Sequence, residues 1–177
     1  MMDTDAFLAA CRLLHDLSAM LLWGASVYLW ALVPTNLARD VERRLQRARV
    51  VAIAMVVATT AVALPIETAS IGAGWRDALD PAAIGAVLAD TSVGHAWQAQ
   101  AVAAVLLVAV LALPERGRRA GVALASGLVV AGITLTGHAV MHEGWEGVLH
   151  RLNDAVHVLC AGAWLGRCCR CSSSCGR

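Results

Sequence analysis

Five long apolar stretches, separated by polar or turn-rich connections, organise the chain. They are Phe7–Val33, uniformly apolar only from Leu17; Val50–Ile66, continuing as a helix to about residue 70; Ala96–Leu113; Ala120–Val140; and Val148–Gly166. At 1.5 Å per residue each can cross roughly 30 Å of hydrocarbon as a helix. A segment in lipid must satisfy its own backbone hydrogen bonds, so apolar runs of this length predict helices. The expected fold is an all-α, polytopic membrane helical bundle of about five transmembrane helices, with residues 1–166 as the membrane domain. Pro34, Pro65, Pro81 and Pro114 fall at or near run ends, where a missing N–H costs least. The first run carries Asp3, Asp5, His15 and Asp16 and lacks a basic start, so it is expected as a retained helix rather than a signal peptide.

Charge placement sets an expected orientation. The chain has no lysine, and its arginines cluster after the first run (Arg39, Arg43, Arg44, Arg47, Arg49) and after the third (Arg116, Arg118, Arg119). By the positive-inside rule both clusters face the cytoplasm, so the N-terminus faces outside. Trp75, Trp97 and Trp145 then fall near the outer interface and Trp30 and Trp164 near the inner one, while Trp23 lies within the bilayer. Gly121, Gly127, Gly132 and Gly137 punctuate the fourth run and permit close helix packing.

Composition agrees with a lipid environment: 59% of residues are hydrophobic and 15% charged, which does not fit a water-soluble globule. A net charge of +1 gives no reason to expect a nucleic-acid partner. What stands out against this background is the set of six histidines, all on the expected outer side: His15, His95, His138, His142, His150 and His157. At 100° per residue His138 and His142 lie about 40° apart on one helix face, and His150, Asp154 and His157 fit within about 60° of one another. Imidazole is the commonest metal ligand, a carboxylate can fix its tautomer, and the thioether of Met141 suits a soft ion such as Cu(I). The candidate metal ligands are therefore His15, His138 and His157, with His142, Met141 and Asp154 secondary. Their expected place is between the first, fourth and fifth spans, just inside the outer interface, with His157 facing the bundle. His95 and His150 sit at helix starts, where an interfacial or capping role competes. His-Ala-Val-Met-His lacks the glutamate of a zinc protease motif.

Arg12-Leu-Leu-His15, Thr136-Gly-His138-Ala, and His150-Arg-Leu-Asn-Asp154-Ala-Val-His157 leading into Ala163-Trp-Leu-Gly166 resemble the copper resistance D family (CopD/PcoD). The resemblance runs along nearly all of Phe7–Gly166. It implies a bacterial inner-membrane protein that binds or moves copper, as Cu(I) or Cu(II), or confers tolerance, in company with a periplasmic copper-binding partner. It also assigns the candidate metal role to His15, His138, Asp154 and His157. After Gly166 the family continues in leucine-rich sequence, whereas this chain reads Arg167-Cys-Cys-Arg-Cys-Ser-Ser-Ser-Cys-Gly-Arg177. Leucine and proline codons read one base out of frame give cysteine, serine and arginine, so residues 167–177 are expected to be a frameshifted tail. Their cysteine spacing matches no zinc motif, and the cytoplasm is reducing.

Two other functions compete: a b-type haem electron carrier clamped by histidines on neighbouring helices, and a structural subunit whose polar cluster joins helices. No nucleophile with a base, phosphate loop or dinucleotide motif appears, so no enzymatic activity is expected.

Overall fold

The computed structural model describes residues 4–136 and 144–174, without the side chains at 35–36 and 167–174. Among the described residues six α-helices make up the bundle: α1 (Thr4–Ala31), α2 (Thr35–Ile71), α3 (Pro81–Asp90), α4 (Ser92–Ala109), α5 (Glu115–Gly132) and α6 (Gly144–Ser174). No strand occurs among the described residues. Four helical stretches are long and apolar enough to cross a membrane: Thr4–Ala31, Leu37–Ile71, Ser92–Ala112 and Glu115–Thr136. The expected fifth span exists as α6, but His150, Arg151, Asn153, Asp154 and His157 make its first half too polar to join those four by composition.

Local sequence explains most boundaries. Pro34 disfavours helical backbone at Val33 and so ends α1, and α2 begins directly after it. α2 then runs for 37 residues, about 55 Å, longer than the hydrocarbon core. Its arginine cluster is thus helical rather than a connecting loop, and Pro65 lies inside the helix rather than beyond its end. The connection after α2 contains the short helix α3, which the apolar pattern did not predict. Asp80 caps it by accepting from the Ala82 N–H at 3.0 Å, with Pro81 in the first turn. Thr91 caps α4 in the same way through the Gly94 N–H at 2.9 Å. The fourth apolar run leaves α-helical geometry at Gly132 and continues as a 3-10 turn, Ile133–Thr136.

The long helices alternate in direction, giving the bundle two chemically different ends. The arginine end gathers the starts of α2 and α5; the opposite, histidine-bearing end gathers the starts of α1, α4 and α6 and the finish of α2. α1 is the hub, packing on α2, α5 and α6. Between them lies a core of small and branched side chains, among them Ala19, Leu22, Val56, Leu107, Ala125 and Val129. Membrane helices gain little from hydrophobic exclusion and rely on close contact, which small residues allow. The closest approach is the α1–α6 seam, where a Cβ added at Gly24 would strike the Gly162 carbonyl and the Gly166 backbone. Trp23, buried in the bilayer by sequence, donates its indole N–H to the Leu159 carbonyl of α6 at 2.9 Å, with its ring in the space left by Gly127.

Candidate functional site

Near the histidine-bearing end, α1 and α2 are joined by polar contacts at successive depths. Ser70 donates to Asp5 at 2.8 Å, Arg12 pairs with the buried Glu67 at 2.6 Å, the Cys11 thiol donates to the Thr59 carbonyl at 3.5 Å, and His15 Nδ1 meets Thr59 Oγ1 at 2.9 Å. Cys11 and His15 are four residues apart and so share a helix face. Both line a cavity of about 90 Å³ closed by α1, α2, α4 and the 3-10 turn after α5; Arg12, Glu67, Trp97 and Gln100 also line it.

Thr59 fixes the protonation pattern of His15. Its hydroxyl hydrogen is directed to the backbone carbonyls of Met55 (2.7 Å) and Val56 (3.1 Å), so its oxygen is left to accept from the imidazole. With the hydroxyl hydrogen so directed, Nδ1 is the donor in the 2.9 Å contact and the lone pair falls on Nε2. Nε2 is buried and has no hydrogen-bond partner among the described residues. On the far wall Gln100 shows the same pattern. Its amide nitrogen donates to the Val129 carbonyl at 3.1 Å, which orients the amide and leaves Oε1 buried, again with no partner among the described residues. Gly132 makes room for this amide, since a Cβ there would approach Gln100 within 2.9 Å. Trp97 fixes the α2–α4 wall by donating to the Thr60 carbonyl at 2.7 Å.

Two buried acceptors on one cavity, neither facing a protein donor among the described residues, call for an electrophile. A metal cation, a proton on a small ligand, or a water donating twice would each satisfy them. A neutral imidazole whose other ring N–H is held by a hydrogen-bond acceptor is the usual form of a histidine metal ligand, and here a hydroxyl oxygen takes that place.

The candidate ligands are placed as follows. His15 lines the cavity. His138, Met141 and His142 lie outside the described residues. His157 is exposed on α6 rather than facing the bundle interior, Asp154 is half-buried, and His95 and His150 are exposed. Among the described residues no three histidine, cysteine, aspartate or glutamate side chains gather closely enough to hold a metal ion. The cavity that His15 lines lies between α1, α2, α4 and the end of α5, whereas the expected place between the first, fourth and fifth spans involves His138, Met141 and His142, which lie outside the described residues. The sequence reading passed over Cys11, Thr59 and Gln100. For Cys11 a signal existed in its four-residue spacing from His15; for the other two, only the meeting of helices supplies it.

Residues 1–148 match the family described as copper resistance protein D-like, N-terminal domain. The chain is also similar to the inner membrane protein YebZ of Escherichia coli strain K12, with 32% identity over 160 residues, covering 89% of this chain and 54% of that protein. The chain therefore spans about half the length of the curated relative it matches. No solved structure matches it.

Proposed function

Because this chain belongs to the copper resistance protein D-like family, we propose that it is a multi-pass inner-membrane protein that takes copper as cargo at its histidine-bearing end. In this reading the N-terminus and that end face the periplasm, the arginine end faces the cytoplasm, and a periplasmic copper-binding protein delivers or receives the ion. No catalytic step is assigned to the chain. One observation carries the reading: His15 Nε2 is buried with no partner among the described residues, while Nδ1 of the same ring meets the Thr59 hydroxyl at 2.9 Å. Cys11 offers a soft sulfur on the same cavity wall, suited to Cu(I). Gln100 Oε1 adds a weaker oxygen donor. His138, Met141, His142, Asp154 and His157 remain proposed contributors along the ion's path.

Titration of the purified full chain with Cu(I) against a competing chelator tests this. Wild type should bind copper and His15→Ala should bind at least about tenfold more weakly, each variant's helical content being checked beside it. Equal affinity in the two proteins would remove His15 from the site and favour polar helix joining instead. A Soret band in the purified protein would replace copper with haem.

A further inference from the structure

A second cavity, about 570 Å³, opens at the arginine end between α2 and α5. Its lining brings four guanidinium groups, those of Arg39, Arg43, Arg49 and Arg118, against two carboxylates, those of Glu42 and Glu115. The local pairings leave this charge unbalanced. Both oxygens of Glu42 are committed to Arg119, which is outside the lining, at 2.9 and 2.8 Å. Arg43 pairs with Asp40, and Arg49 donates to the uncharged Gln46 at 2.9 Å. The guanidinium groups of Arg39 and Arg118 make no hydrogen bond or ion pair among the described residues. Guanidinium forks held around a cavity with positive charge to spare fit the oxygens of a phosphate.

The surface next to the cavity selects among phosphate sources. Directly after Arg49 on α2 come Val50 and Val51, 53% and 60% exposed, which begin the membrane-crossing apolar run. Leu45, on the arginine-bearing part of α2, and Trp30, at the same end of α1, are exposed as well. A basic cavity whose lining residue Arg49 directly precedes an exposed apolar run on the same helix matches a molecule with an anionic head and acyl chains. Free inorganic phosphate would use the first feature only. We propose that the α2–α5 cavity binds the phosphodiester headgroup of an anionic glycerophospholipid, with Arg39 and Arg118 as its principal contacts and the acyl chains lying along Val50 and Val51. Such a lipid would neutralise the surplus charge and fix the arginine end at the depth of the anionic leaflet. The inference is independent of copper.

The test is native mass spectrometry and thermal unfolding of the full chain in detergent, with phosphatidylglycerol, phosphatidylcholine or inorganic phosphate added in turn. The variant is Arg39→Gln/Arg118→Gln, and Arg76→Gln, exposed at the opposite end, is the control. Wild type should retain phosphatidylglycerol at least about tenfold better than phosphatidylcholine and unfold at a higher temperature with it. The double variant should lose most of that preference and of the temperature increment, while Arg76→Gln keeps both. Each increment is read from the variant's own lipid-free baseline, so a change in basal stability does not blur the result. Equal retention of the two lipids, or an unaltered preference in the double variant, overturns the proposal. So does displacement of phosphatidylglycerol by millimolar inorganic phosphate, which would mark a site for the free anion.

Discussion

The two ends of the bundle are unbalanced in opposite senses. At the arginine end cations outnumber the carboxylates that face them, and the inter-helix pair of Arg119 with Glu42 consumes a carboxylate that the cavity would otherwise have. At the histidine-bearing end it is acceptors that are left over: His15 Nε2 and Gln100 Oε1 are buried with no donor among the described residues. Surplus cations at a membrane boundary can be met by solvent or by lipid phosphates. Surplus lone pairs inside the bundle must be met by something that enters it. Under the two proposals the first arrangement anchors a helix pair and the second takes a ligand, and substitutions should separate the two.

The largest effect is expected at the acceptor-rich end. His15→Ala should weaken Cu(I) binding by about a hundredfold, about 2.7 kcal/mol, with only a small change in unfolding temperature. If affinity and stability fall together, the imidazole is part of the packing and the contrast between the ends disappears. At the other end the order of effects reverses. Glu42→Ala leaves the part-buried Arg119 guanidinium without its two bonds and should destabilise by about 2 kcal/mol while leaving copper binding within twofold. Thermal unfolding in detergent beside the chelator titration measures both quantities.

Thr59→Val sharpens the account, because it keeps the side-chain volume and removes only the hydroxyl that holds His15 Nδ1. Freed of that bond, the imidazole samples both tautomers, and copper affinity should fall about tenfold, the lower end of what loss of an outer-shell partner costs. An unchanged affinity would show that the Thr59 contact does not fix the ligand. The smallest effect is expected for Gln100→Leu. An apolar side chain of similar size removes the buried oxygen that lacks a donor but also the Nε2 bond to the Val129 carbonyl, so stability should change by no more than about 1 kcal/mol either way, with a few-fold loss in copper affinity. A clear loss of stability would mean that Oε1 is already satisfied within the folded chain.

The helices were legible in the sequence because a chain in lipid must close its backbone hydrogen bonds within each apolar run. The ends of the helices were less so. Hydropathy stops at Arg49, but arginine is a good helix former, and α2 continues backward through the cluster to Thr35. α3 is short and sits in a polar connection, although Asp80-Pro81 carries the chemistry of a helix start. The site was half legible. His15 could be singled out because an ionisable group within an apolar run is costly. Its partners could not, since Thr59 and Gln100 look like ordinary polar residues until α1, α2, α4 and α5 bring them around one cavity. Periodicity on α6 groups His150, Asp154 and His157, and the segment is helical, but a helical period does not say which way a face turns, and His157 is exposed.

X-ray absorption at the copper edge of the Cu(I)-loaded full chain, wild type beside His15→Ala, tests the central claim most directly. Coordination by His15 Nε2 predicts the outer-shell scattering of an imidazole ring in the wild type, reduced by at least one ring in the variant at equal copper loading. The same scattering in both proteins would show that copper sits elsewhere, and the lone pair of His15 would then be filled by something other than the metal.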